Sequence, residues 1–222
     1  MSELRGRYVG MEAVDGAGKT TQWRLAEEFD KEYGIGAEFV REPGGTEFGL
    51  DIRAMILHNR DYKFTPATEF LLFTADRRHL WDTVIKPALD DDRPVISDRR
   101  IESTVAYQSA GGGLPRETIL GISEQLLDPR YMRPDALALL SISRETRRRR
   151  LDYRLAYEAA DKIESRHQAY LDRVYAEYKA HETLEYATVI DAERSPEEVF
   201  ESLKPVLFGK YLPRDKHEKI IS

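Results

Sequence analysis

The chain has 222 residues, 41% apolar and 33% charged, with a formal net charge of −6 and a sequence pI near 5.5. That length suits one α/β domain with room for a small lid, and the acidic balance argues against a protein whose main task is gripping nucleic acid. There is no cysteine, which excludes disulfides, thiolate metal sites and cysteine nucleophiles.

Met1 to Arg7 is short and polar, with no apolar signal core. No run approaches the roughly 18 apolar residues of a membrane span. The expectation is a cytoplasmic protein with no membrane partner and no nucleic-acid partner.

The first apolar run, Tyr8 to Ala13, reads as a strand. It leads into Ala13-Val14-Asp15-Gly16-Ala17-Gly18-Lys19-Thr20-Thr21, and a helical pattern, Thr20 to Tyr33, leads out. Strand, glycine turn and helix in that order form a phosphate-binding P-loop. Gly16 and Gly18 let backbone N–H groups turn inward, and the helix adds its free N–H groups and the positive end of its dipole. Lys19 supplies a mobile charge for the outer phosphates, and the Thr20 hydroxyl is placed to ligate Mg²⁺. Ala13 stands where the strict pattern has glycine. A plain glycine turn capping a helix is the alternative.

Further along, Leu25, Ala26, Phe29 and Tyr33 share a helical face and are expected in the core, with Gly34 as the stop. Ala37 to Arg41 reads as the second strand. Glu47 to His58 reads as a short helix that buries Leu50, Met55 and Ile56 and presents Arg53 on another face. A long helix runs from about Pro66 to Asp90. It carries Phe70, Leu71, Phe73, Leu80, Trp81, Val84 and Ile85, and Pro87 lies near its end. Pro94 to Asp98, Ala136 to Ile142 and Ala187 to Asp191 read as the remaining strands. Strands alternating with helices predict a five-stranded parallel sheet with helices on both faces, an α/β fold, with ligands at the strand C-terminal ends.

Arg144 to Arg154 holds six arginines. Such a run is usually a solvated helix face, and half of these arginines are expected to be that. The others matter if residues 144–162 form a helical lid over phosphates. Ser195, Pro196 and Glu198 mark a helix start. The tail from Gly209 is polar and expected to fray. The domain is placed at residues 1–212, with 213–222 as a C-terminal tail.

A P-loop alone does not choose between motor, GTPase and kinase. No N-K-x-D-type guanine motif is present, and the chain is short for a large ATPase. The chain resembles the thymidylate kinases over nearly its whole length. The resemblance rests on the P-loop with Glu12 before it, Glu12-Ala13-Val14-Asp15-Gly16-Ala17-Gly18-Lys19-Thr20-Thr21, on Arg41-Glu42-Pro43-Gly44-Gly45-Thr46, and on Phe73-Thr74-Ala75-Asp76-Arg77 with Ile85-Lys86-Pro87-Ala88-Leu89. It continues through Asp98-Arg99-Arg100-Ile101-Glu102-Ser103-Thr104-Val105-Ala106-Tyr107-Gln108, Arg133-Pro134-Asp135, Asp161-Lys162-Ile163-Glu164 and Ile190-Asp191-Ala192.

The resemblance implies a P-loop nucleoside monophosphate kinase that phosphorylates dTMP with ATP, uses Mg²⁺ and forms a homodimer. ATP would lie on Asp15, Gly16, Ala17, Gly18, Lys19, Thr20 and Thr21. Thr20 and Asp98 would serve the metal. Asp15 would contact the nucleoside sugar or metal-bound water, and Arg99 would bridge the two phosphates. Arg53 would grip the acceptor phosphate, Phe73 would stack on thymine, and Arg77 would reach the edge of the base. Ser103, Thr104 and Tyr107 would border base and sugar, with Tyr107 crowding a ribose 2′-hydroxyl. Glu42, Pro43 and Gln108 complete the dTMP set. Catalysis would fall to Lys19, Arg99, Asp15 and a lid arginine, Arg154 before Arg150.

Plainer roles stay open: Phe73 as core, Arg53 and Arg77 as surface ion pairs, Asp98 and Arg99 as a strand-end salt bridge, Glu42 as loop support. The chain departs from the family at Gly16, where one subgroup has arginine, at Lys162 for a common arginine, and at Ser141 for a usual acid. These departures keep two alternatives in view, a kinase for dUMP or a 5-modified dUMP, and a nucleotide-binding module without catalysis.

Overall fold

Tyr8–Ala13 (β1), Val95–Ser97 (β3) and Ala136–Ser141 (β4) are near-continuous apolar runs because helices cover both of their faces. With Glu38–Val40 (β2) and Ala187–Asp191 (β5) they form one parallel sheet in the order β2-β3-β1-β4-β5. Val9 sits opposite Ile96 on one side and Ala136 on the other. The structure, a computed structural model, describes residues 6–58, 62–157, 163 and 166–213, the side chains of Arg154 and Leu155 excepted.

Lys19–Tyr33 (α1) and Pro196–Phe208 (α10) pack together against the sheet, joining Ala26, Val199, Leu203 and Leu207 to Val9 and Met11. The capping box read at Ser195 and Glu198 is formed. Tyr8, Val40 and Val95 pack instead with Leu80, Trp81, Ile85 and Leu89. Those four come from Pro66–Leu80 (α3), its wide continuation Trp81–Ile85, and Lys86–Asp90 (α4). Pro87 has no N–H to give, and the π turn just before it keeps the helix continuous.

Glu47–Arg53 (α2) also widens into a π turn, Ala54–His58. Ile56 is buried as expected, but the expected face is corrected at Leu50, which is 55% exposed, while Ile52, four residues before Ile56, is buried. Tyr33 is half-exposed and lies on the Phe29 ring at 4.6 Å, and Leu71 faces outward. Gly209–Tyr211 does not fray; it forms a 3₁₀ turn whose Tyr211 hydroxyl donates to the Asp92 carbonyl at 3.0 Å. The rest of the tail, from residue 214, lies outside the described residues.

Ile101–Thr104 (α5) runs into a π segment, Val105–Gly111, and Arg116–Leu126 (α6) and Pro129–Met132 (α7) follow. Arg144–Leu155 (α8) begins the expected lid; residues 158–162 lie outside the described ones. Gln168–His181 (α9) packs along the π segment 105–111.

Candidate active site

β1 ends at Ala13, and the chain turns through Gly16 at φ +88° and Gly18 at φ +91°. Side chains rarely adopt that conformation, so glycine is needed at both positions. Gly18 caps α1 without a side chain, which leaves the first N–H groups of the helix to a ligand. Thr20 is exposed in that first turn, and Thr21 N–H donates to Gly18 at 3.0 Å. Lys19 donates to the Asp98 carbonyl, with its ammonium 3.9 Å from the Asp98 carboxylate. Burial and the neighbouring Arg99 push the Lys19 ammonium down to about 8, so it seeks an anion.

Beside this loop, at the C-terminal ends of the strands, lies a cavity of about 580 Å³, its open mouth included. Asp15, Glu42, Pro43, Arg53, Phe73, Arg77, Arg99, Ser103, Thr104, Tyr107 and Gln108 all line it, so the structure brings the whole expected acceptor set together. Leu57, which no motif indicated, and Ile163, a motif member given no place in the site, complete the lining.

Asp15 sits between the loop and the cavity. Arg99 donates to one of its oxygens at 3.2 Å and the Tyr107 hydroxyl to the other at 2.6 Å. Burial alone would raise the Asp15 carboxyl, but Arg99, Tyr107, Lys19 and Arg147 hold it below the usual range. Arg99 is fixed further by Ser103 at 3.0 Å, Tyr178 at 3.3 Å and the face of the Tyr107 ring. Behind it the buried Glu12 accepts from Arg100 N–H, Ser103 and Tyr178 at 2.7–3.2 Å. A strand-end bridge between Asp98 and Arg99 is not what forms. Asp98 faces Lys19 and Arg41 and accepts the Glu42 N–H at 2.8 Å.

Arg77 is a buried cation rather than half of a surface pair. It donates to Glu42 at 3.1 Å, Thr104 at 2.7 Å and the Arg100 carbonyl at 2.9 Å. Phe73 is largely buried but lines the cavity, with the Arg77 guanidinium 5.8 Å from its ring centre. Burial pushes the Glu42 carboxyl up to about 7, against the pull of Arg77 and hydrogen bonds from Tyr131 and Ser97. Arg53 donates to the Pro43 carbonyl at 3.1 Å.

This arrangement has known counterparts. The thymidylate kinase family model matches residues 11–203. A thymidylate kinase from Clavibacter michiganensis subsp. michiganensis (strain NCPPB 382) is 37% identical over 90% of this chain and 94% of its own. One from Leifsonia xyli subsp. xyli (strain CTCB07) is 37% identical over 92% and 96%. The crystal structure of a thymidylate kinase from Ehrlichia chaffeensis superposes with a TM-score of 0.67 at 27% identity, covering 91% of this chain and 98% of that one. The chain belongs to the thymidylate kinase family.

The arginines of α8 divide as expected between a solvated face and the P-loop. Three of them, Arg144, Arg148 and Arg149, are exposed, as a solvated face requires. Arg147 is buried and donates to the Asp15 carbonyl at 3.2 Å; Arg150 donates to Ala17 and Ala192 carbonyls at 3.4 and 2.9 Å. The Arg154 side chain, favoured by sequence, lies outside the described residues, as do Asp161, Lys162 and Glu164. Ser141, at the C-terminal end of β4, donates to Glu182 at 2.6 Å and accepts from Lys179 at 2.7 Å, and it does not line the cavity. Tyr178 follows no spacing, and Glu12 stands in the P-loop motif with no role assigned to it; chain folding brings both behind Arg99.

Proposed function

We propose that this chain transfers the γ-phosphoryl group of ATP to dTMP, giving dTDP and ADP. The observation that carries this reading is the continuity of the P-loop with a cavity whose lining runs from Arg99 and Asp15 to Phe73 and Arg77. The charged end suits two phosphates; the other suits a flat base. The acceptor is a phosphate with a second pKa near 6, largely dianionic at neutral pH, so no strong base is required. Its oxygen bonds to the γ-phosphorus as the bond to the β,γ-bridging oxygen breaks, and ADP leaves with the electron pair. The chain supplies alignment and charge neutralisation: Lys19 and the loop N–H groups on ATP, Arg53 on the acceptor, Arg99 between them.

The donors fit Mg²⁺, which binds through one or two carboxylates or hydroxyls, waters and substrate phosphates rather than in an all-protein cage. Among the described residues no group of three or more histidines or carboxylates is placed to hold a metal. Thr20 and Asp98, on either side of Lys19, would hold the ion, which when bound neutralises β- and γ-phosphate charge. Tyr107, whose hydroxyl donates to Asp15, would crowd a ribose 2′-hydroxyl and favour a deoxynucleotide.

We also infer a homodimer. Phe48 and Leu50 on α2, Leu71 on α3 and Leu126 on α6 are exposed apolar side chains on helices that adjoin one another. Sizing chromatography that returns a monomer would remove this part. No described helix is long and apolar enough to cross a membrane, and a cytoplasmic location is proposed with that.

A coupled ADP-release assay across nucleoside monophosphates tests the central reading. Turnover with dTMP is expected. If dTMP is inert while another monophosphate reacts, the assignment is wrong.

A further inference from the structure

Gln108 lines the base end of the cavity, yet its amide is held from behind. Its Nε2 donates to Glu69 at 3.1 Å. Glu69 is 1% exposed, and its other oxygen accepts from Arg166, whose guanidinium lies 4.7 Å from the Tyr170 ring centre. Glu69, Phe73 and Arg77 are spaced four apart on α3, so one helix face carries all three.

The direction of the amide follows from charge. Paired with Arg166, Glu69 is a carboxylate with no proton to give, so it can only accept. The nitrogen of Gln108 must therefore face Glu69, and its oxygen must face away. The other side-chain acceptors of the cavity are committed. Both Glu42 oxygens take donors from Arg77, Ser97 and Tyr131, and both Asp15 oxygens take Arg99 and Tyr107. Thr104 accepts from Arg77, which leaves its hydroxyl proton to give.

We propose that Glu69, braced by Arg166, is a specificity-determining positioning residue: it locks the Gln108 amide so that the cavity offers a carbonyl acceptor beside the Arg77 donor. This deepens the dTMP reading and rests on it. A 2,4-dioxopyrimidine matches the pattern, since its N3–H gives a proton and its O4 accepts one. Cytosine inverts both, with a bare N3 and an amino group at C4. Each mismatch leaves a buried polar group unpaired, which is the physical basis of rejection. The 5-methyl group plays no part, so thymine and uracil are treated alike by this element.

The test measures kcat/KM for dTMP, dUMP and dCMP in the parent and in Glu69→Gln, Arg166→Met and Gln108→Met. The amide introduced by Glu69→Gln can both donate and accept, which frees the amide of Gln108 to turn over. In Glu69→Gln and Gln108→Met the dTMP:dCMP ratio is expected to fall about tenfold or more. The dTMP:dUMP ratio and the KM for ATP are expected to stay within twofold. Arg166→Met should move the dTMP:dCMP ratio in the same direction by less. A dTMP:dCMP ratio unchanged in folded Glu69→Gln overturns the proposal, as does a uniform loss for all three substrates. If Glu69→Gln does not fold, Gln108→Met decides alone by the same criterion. A parent inert toward dTMP would sink the function itself; a parent active on dTMP with unmoved variants sinks only this inference.

Discussion

Arg99 reaches across the sheet from the end of β3 to Asp15 in the P-loop, meeting one carboxylate oxygen at 3.2 Å while Tyr107 takes the other at 2.6 Å. The guanidinium is thus fixed before any nucleotide arrives, by a carboxylate, two hydroxyls and a ring face. Held in that way, a cation needs little reorganisation when charge develops between two phosphates. Arg99→Ala is expected to lower kcat by about 10²–10³-fold with a smaller change in either KM. Arg99→Lys should recover little, because an ammonium cannot engage Asp15, Ser103 and a phosphate in one plane. Steady-state kinetics on both variants check this; wild-type kcat in Arg99→Ala would remove Arg99 from the reaction.

In the proposed reaction Lys19 would be the second cation of the transfer. Its ammonium rests on Asp98 and is destabilised by burial and by Arg99, so a bound triphosphate relieves both. Lys19→Ala should cut phosphoryl transfer by about two orders of magnitude or more. Unchanged transfer in that variant would end the mechanism given above.

Glu42 gives a pH dependence with a defined sign. Its folded-state carboxyl is raised to about 7 from an ordinary 4.5. The native state therefore binds more protons than the unfolded chain between those values, and stability is lost as pH rises through that window. Glu42→Gln, which keeps the acceptor toward Arg77 without a charge to bury, should lack this contribution. The difference in unfolding free energy between parent and variant is expected to move by an amount on the order of 1–3 kcal/mol between roughly pH 4.5 and 7.5. Denaturant titrations at several pH values measure it, and a difference independent of pH would refute the assignment.

How far the sequence carried depends on the kind of signal. β1 and β5 were legible to the residue, because apolar runs bounded by turns are local. Phe73, Arg77, Arg99 and Tyr107 were legible as motif members and Arg53 as the polar side of a short helix, and the sheet order then brings them to one cavity. Leu50 was misplaced: on the regular helix Glu47–Arg53 it is Ile52 that faces inward, in line with Ile56, which was expected there, while Leu50 faces out. Glu69 and Tyr178 gave no signal and Glu12 stood in the P-loop motif without a role, since a buried carboxylate or phenol is defined by partners far off in the chain: Tyr178 meets Glu12 across 166 positions. The lid arginines were ambiguous in the sequence because several alternatives fall within one helix. The contact of Arg147 with the Asp15 carbonyl is what separates it from its exposed neighbours.

Gly16 lies where the P-loop meets α8. A Cβ built there would lie 3.1 Å from the Leu151 side chain and 3.3 Å from the Arg147 carbonyl, so the bare backbone is what lets α8 settle on the P-loop. In that seat Arg147 and Arg150 donate to the Asp15 and Ala17 carbonyls. Gly16→Ala adds strain at a φ of +88° and pushes the helix outward together. Two consequences are expected: a loss of about 1–3 kcal/mol in stability, and weaker ATP binding as the arginines lose their register. Leu151→Ala makes room for the new methyl without touching the strained backbone. In the Gly16→Ala background it should restore part of the ATP affinity and little of the stability. Calorimetric titration with a non-hydrolysable ATP analogue, beside thermal unfolding of the single and double variants, separates the two. If Leu151→Ala restores no affinity, the methyl acts on the loop alone and the helix is not seated by Gly16.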